Sequence, residues 1–259
     1  MCSSDLIHPT ALVDPSAELG ANVTVGPFSV IEANVILGDN TAIGNHVTVC
    51  ENTFVGTDCR IFHSSPIGEI PQDLKFGGEK TKTVVGDKTT IRECVTVNRG
   101  TNALGVTQIG SDCLLMASVH VAHDCIVGDH VIMANMATLG GHVEIGDWAS
   151  LGGGVLVHQF CRIGAHVFIG GGFRVVQDVP PFILAAGEPL SFGGTNKIGL
   201  KRRGFSTEER KTIKYSYQLF FRSELNRKEA LQKIELEIES SRYKDQIVEF
   251  IRSSKRGII

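Results

Sequence analysis

The feature that most constrains this chain is a period of six. From Ile7 an aliphatic residue recurs at Val13, Leu19, Val25, Ile31, Leu37, Ile43, Val49, Val55, Ile61 and Ile67. A second run keeps the same spacing from Ile109 through Leu115, Val121, Val127, Met133, Leu139, Ile145, Leu151, Val157 and Ile163 to Ile169. A short run at Val85, Ile91 and Val97 lies between them. Glycine follows the aliphatic residue at 20, 26, 38, 44, 56 and 68, and a mostly small residue stands two positions before it. Chance does not place aliphatics at eleven consecutive sixth positions twice. Six is neither the 3.6 of a helix nor the 2 of a plain strand. It fits a short strand plus a corner, with glycine accepting corner backbone angles that other residues resist. Such units cannot bury a core singly; stacked as a solenoid they bury one continuous column.

The pattern resembles the left-handed parallel β-helix, in which three hexapeptide repeats make one triangular coil. The handedness comes from the resemblance, since the usual crossover is right-handed. The expected fold is mainly β: a left-handed parallel β-helix over 1–190, then a small α-helical C-terminal domain over 191–259. With three hexads per coil, residues 18 apart stack on adjacent coils about 4.8 Å apart. Cys59, Cys113, Cys125 and Cys161 take the small inward position, where buried packing is their expected role. The period breaks at 69–83 and 98–107, which predicts two inserted loops leaving one face. Paired prolines in "QDVPP" stop strand pairing. Beyond them, Ser206 with Glu209 forms a capping box before Ile213, Tyr217, Leu219 and Phe220. Asn226 with Glu229 opens a second helix through Leu231, Ile234 and Ile238, and Ile247, Phe250 and Ile251 mark a third. The first six residues, "MCSSDL", fit neither part.

Composition narrows the setting. A net charge of −3 with 42% apolar residues carries no basic excess, which excludes nucleic acid as the expected partner. No run of about 18 apolar residues exists, and the start lacks a basic-then-apolar leader, so no membrane span is expected. Seven cysteines without C-x-x-C spacing argue against a disulfide framework or a zinc knuckle. A reducing cytoplasm is the expected location.

The stretch "HVAHDC", residues 120–125, concentrates reactive side chains. Gly141 stands 18 residues after His123, Gln159 continues that column, and His142 falls over Asp124. His123 with Asp124 fits a general base held in one tautomer by a carboxylate. A backbone N–H at Gly141 is placed to reach a ligand oxygen, as an oxyanion hole requires. Cys125, turned inward, is no nucleophile. Ordinary polar decoration of the repeat remains open, and so does metal, because histidines on this fold can converge on zinc. His120 and His123, three apart, tend to opposite sides of a strand, so metal would require ligands from another subunit. The expectation is neither metal nor cofactor. "KRRG" at 201–204 reads either as a solvated basic turn or as a clamp for phosphate groups. Lys75 in the first insertion reads either as an ordinary solvated lysine or, with Asp73 and "FGG" beside it, as part of a shaped flap.

Taken in order, "IGEIPQDLKFGGE", "HVAHDC", "GGHVEIGD", "VHQFCRIGAHV", "QDVPP" and "GLKRRGF" resemble the acyl-carrier-protein-dependent UDP-N-acetylglucosamine 3-O-acyltransferases of lipid A synthesis. The resemblance runs from about Ile7 to the C-terminus. It implies that His123 deprotonates the sugar 3-hydroxyl beside Asp124, and that the Gly141 N–H stabilises the thioester oxyanion. It implies sugar-nucleotide and acyl-pocket contacts at His120, His142, His158 and Gln159. Asp73 and Lys75 would reach the sugar and phosphate, and Asn196, Arg202 and Arg203 the nucleotide. Gly171 matches the position that gauges acyl length, glycine going with longer chains. Family members are homotrimers with sites between adjacent β-helices. Asn98, before "RG", and Ile198, before "GLKRRG", depart from the family pattern. The alternatives are the related N-acyltransferase, transfer to a 3-amino sugar, a γ-type zinc carbonic anhydrase and a non-catalytic β-solenoid binding module.

Overall fold

The structure, a computed structural model, describes residues 7–259, so "MCSSDL" lies outside the described residues. Almost every hexad contributes one two-residue strand, and the strands stack in three sheets of nine, eight and ten members. Val121 pairs in parallel with Leu139, and Leu139 with Val157, each 18 residues on. Three hexads therefore close one coil, and the chain is a left-handed parallel β-helix. Its core is a column of inward aliphatics, with Val121, Leu139 and Leu115 essentially inaccessible. The inward cysteines are packing residues, and burial pushes the Cys125 thiol up to about 12.

Of the glycines after the aliphatics, Gly68 (φ 87°) takes the positive angle expected, but the others serve a different purpose. At Gly26 and Gly38 an added Cβ would stand 2.6 Å from the backbone of Gly44 or Gly56 on the next coil. Close approach between coils selects glycine there. The left-handed corner angle falls two residues later, on residues such as Asn22, Asn40, Asp124 (φ 58°) and His142 (φ 62°). Asn, Asp and His tolerate that region better than most side chains.

The two interruptions leave the stacking intact. Partners across the first are 30 residues apart, as Ile67 with Val97, and across the second 24, as Val97 with Val121. Strands run into both, through Glu69 and from Lys82 around the first, and through Asn98 and from Val106 around the second. One further strand, Ser191–Thr195, follows the expected end of the repeat and runs antiparallel to Ile183–Ala186. After the prolines redirect the chain, this hairpin extends the ten-stranded sheet at its last edge.

Four helices complete the chain: α1 (Lys197–Arg202), α2 (Thr207–Phe221), α3 (Arg227–Glu237) and α4 (Arg242–Ser253). Both expected capping boxes close, Ser206 with Glu209 and Asn226 with Glu229. The short α1 carries no periodic apolar signal and went unexpected. The Tyr217 hydroxyl of α2 donates to the Pro181 carbonyl, tying the helices to the end of the coil. Among the described residues no helix is long and apolar enough to cross a membrane.

Because each coil packs only on its neighbours, a hole in one is not absorbed elsewhere. Leu139→Ala, in the coil above His123, is expected to cost about 2 to 5 kcal/mol. Denaturant unfolding checks this; a midpoint equal to that of the unchanged chain would contradict the packing described.

Candidate active site

His123 and Asp124 turn the corner after the strand His120–Val121. Asp124 is buried, and its carboxylate is filled by donors. Oδ1 accepts from the backbone N–H of Thr101 (2.9 Å) and of Leu104 (3.2 Å). Oδ2 accepts from the Thr101 hydroxyl (2.6 Å) and lies 2.8 Å from His123 Nδ1. Burial pushes this carboxyl up, but the Thr101 hydroxyl, His123, the Thr101 amide and His142 outweigh it and hold it below its ordinary value. A carboxylate kept ionised at Nδ1 fixes the proton there, so the neutral ring carries its lone pair on Nε2.

Gly141, one coil on, crosses directly over that ring. A Cβ at 141 would stand 2.7 Å from His123 Cε1 and 2.8 Å from Nε2. Its carbonyl accepts from Phe160 N–H at 3.0 Å, while its own N–H donates to no acceptor among the described residues. His142 meets His123 edge-on with ring centroids 5.1 Å apart, and stacks on Phe160 at 4.5 Å. Burial lowers the His142 pKa; Asp124 and the flap's Asp73 oppose that shift without cancelling it, and His123 adds to it. Asp124, His142 and Phe160 line a cavity of about 670 Å³ together with Leu104, Lys255 and Arg256.

The remaining expected residues are distributed. His120 lies on the sheet face, with Nδ1 2.7 Å from the Thr96 hydroxyl. Burial, and then His123, lower its pKa. His158 and Gln159 are exposed at the next coil, where Arg256 Nη2 approaches His158 Nδ1 at 3.1 Å. Asp73 accepts the Lys75 N–H at 3.0 Å within the flap, and Lys75 is exposed. Asn196 caps α1, accepting from Gly199 N–H, and its amide donates to the His166 carbonyl at 2.9 Å. Asn196, Arg202 and Arg203 line a separate cavity of about 590 Å³ with Ile132, Ser150 and Phe168. Arg203 also lies over Trp148, 5.1 Å from the ring centre. Gly171 sits at another corner, against Gly153. One chain thus assembles His123, Asp124, Gly141 and His142, and holds the other contacts apart.

The expectation that metal would need a second subunit is not met in its geometry. His123, Asp124 and His142 of one chain bring ligand atoms within 4.8 Å of one another, because residues 18 apart stack at the same corner. The donor set nonetheless fits an ion poorly. Both Asp124 oxygens already accept two hydrogen bonds, and His142 Nε2 remains 3.8 Å from Oδ2. Two contributions escaped the sequence reading: Thr101, in a loop without period, and the ring of Phe160, which the repeat marks only as a corner residue.

Fold and site define a hexapeptide-repeat transferase, and residues 107–141 match the bacterial transferase hexapeptide family. Residues 178–259 match the second domain of the UDP-N-acetylglucosamine O-acyltransferases, and residues 1–105 a GMPPB C-terminal domain. The chain belongs to the acyl-[acyl-carrier-protein]–UDP-N-acetylglucosamine O-acyltransferase family. It is 56% identical to the enzyme so named from Chlorobaculum parvum, over 97% of this chain and 96% of that one. It is 49% identical to that of a Janthinobacterium, over 98% and 99%. The crystal structure of a UDP-N-acetylglucosamine acyltransferase from Bacteroides fragilis superposes with a TM-score of 0.96 at 45% identity, covering 97% of this chain and 99% of that one.

Proposed function

We infer that this chain transfers a 3-hydroxyacyl group from acyl carrier protein to the 3-hydroxyl of UDP-N-acetylglucosamine, the opening step of lipid A synthesis. One observation carries the chemistry: Asp124 holds the Nδ1 proton of His123, leaving Nε2 as the proton acceptor beneath Gly141. Nε2 takes the proton of the sugar hydroxyl as its oxygen attacks the thioester carbonyl carbon. The carbonyl electrons move onto oxygen, and the Gly141 N–H, without an acceptor among the described residues, stabilises that charge. Collapse breaks the carbon–sulfur bond, and the imidazolium returns its proton to the departing thiolate. No step needs a cofactor, a metal or a covalent enzyme intermediate.

The proposed binding residues are divided, with His142 lining one cavity beside Asp124 and Asn196, Arg202 and Arg203 lining another on the sheet of Ile132, Ser150 and Phe168. A homotrimer that sets the corner of one β-helix against the α1 region of the next reunites them, and supports a site between subunits. Leu74, fully exposed at the flap, gives such a neighbour an apolar contact. The six described cysteines, all free thiols, support a reducing cytoplasm.

A ladder of 3-hydroxyacyl carrier proteins, offered with either UDP-N-acetylglucosamine or its 3-amino analogue, tests this reading. An O-acylated product with the longer donors preferred is expected; faster transfer to the amine would overturn the acceptor assignment. Chelator treatment should leave the rate unchanged. At Gly171 a new Cβ would stand 3.0 Å from Gly153 O, so the backbone must give by a few tenths of an ångström to admit a side chain. Gly171→Met should move the preference toward shorter donors by about tenfold, as roughly two lost methylene contacts imply. Unchanged ratios along the ladder would remove Gly171 from the acyl groove.

A further inference from the structure

We propose that Thr101 is a positioning residue for the reaction, acting on His123 through Asp124; this rests on His123 being the base. The second inserted loop is the clamp. Thr101 gives the buried carboxylate two hydrogen bonds, from its amide to Oδ1 and from its hydroxyl to Oδ2, and Leu104 N–H adds a third. With His123 as the fourth donor, rotation of the carboxylate breaks bonds at both oxygens together. The carboxylate plane is thereby fixed, and with it the plane of the imidazole hydrogen-bonded to it.

The loop is itself held on every side. Thr101 O accepts from Gly105 N–H at 2.7 Å, and Thr101 Oγ1 accepts from Ala103 N–H at 3.2 Å. Arg99, buried, donates through Nε to Gly68 O at 3.1 Å and pairs with Glu51 at 2.7 Å. Asn98 Nδ2 donates to Ile70 O at 2.8 Å, and the Thr81 hydroxyl to Gly100 O at 2.6 Å. Residues 98–104 therefore fasten both ends of the first insertion while gripping the carboxylate. The flap that carries Asp73 and the pair that carries the base share one support.

The hydroxyl also has an electrostatic effect. Thr101 Oγ1 and His123 Nδ1 donate to the same oxygen, so the hydroxyl withdraws charge that the imidazolium would otherwise meet. The other titratable or charged groups around the pair are His142 over it, His120 on its strand, Asp73 on the flap, and Glu144, Arg162, Asp178, Lys255 and Arg256 around the cavity that Asp124 lines. Removing the hydroxyl takes one of the two donors from Oδ2 and releases the carboxylate plane that orients the imidazole.

The test compares Thr101→Val, which keeps the shape and the amide, with Thr101→Ser in the full chain. Turnover with saturating acyl carrier protein and sugar nucleotide is expected to fall about tenfold in the valine variant, as losing a hydrogen bond to a charged group implies, with KM little changed. Serine should restore turnover, with thermal melting and oligomeric state unaltered in either variant. A valine variant within twofold of the unchanged chain would overturn the proposal. So would a loss that serine fails to restore or that follows a lowered melting temperature. His123→Ala, run alongside, separates the two failures: if it stays active, the base reading has failed, and if it is inactive while valine is silent, only the role of Thr101 has.

Discussion

His123→Ala is expected to lower acyl transfer by about a thousandfold while the β-helix melts and assembles as before. The size follows from what the residue supplies. General base catalysis by a placed side chain is worth about 10² to 10⁴ in rate, and this imidazole is the group whose tautomer is fixed by a buried carboxylate. The fold should tolerate the change, because His123 sits at a corner outside the aliphatic column and its backbone carbonyl still accepts from His142 N–H. Initial rates over a range of pH, with sedimentation and a thermal melt, check the expectation. Near-normal turnover would mean that the proton leaves by another route. Binding of the sugar nucleotide should weaken far less than turnover, since the base acts as the proton moves and not when the substrate arrives.

How much of this was legible beforehand follows from what a period encodes. Hexads fix which residues share a corner, so Gly141 over His123 and His142 over Asp124 could be drawn from spacing alone, and the observed register places them there. The period also separated Cys125 from the chemistry by assigning it to the inward column. It misassigned most of the glycines, Gly68 excepted, because a six-residue count does not distinguish a backbone angle from a close approach between coils. It was silent where the repeat stops. Thr101 and Leu104 reach Asp124 through a loop whose path no periodicity describes, and Asn196 caps a helix too short to carry an apolar stripe. The metal cluster was misjudged for a related reason: alternation along a strand was applied to His120 and His123, whereas the corner and the next coil bring His142 in.

Gly141→Ala is the change with the largest effect for the fewest atoms, and turnover is expected to fall about a hundredfold or more. The three atoms nearest the added Cβ all belong to the His123 ring, at 2.7, 2.8 and 3.3 Å. The backbone at 141 cannot easily retreat, because its carbonyl is held by Phe160 N–H and the next residue's N–H by the His123 carbonyl. The ring has to yield, and swinging it draws Nδ1 away from Asp124 and Nε2 from its place beneath the Gly141 N–H. Displacement of a reacting group by about 1 Å can cost a hundredfold. The amide itself survives in alanine, so a loss here reports the position of the base and not removal of an oxyanion donor. The double variant decides between them. With His123 already replaced by alanine, the clash is gone, and adding Gly141→Ala should cost almost nothing further in either residual rate or melting temperature. If the second change lowers the residual rate by a further hundredfold, the alanine has disturbed the oxyanion site or the coil itself, and the contact between Gly141 and the histidine ring is not what limits the reaction.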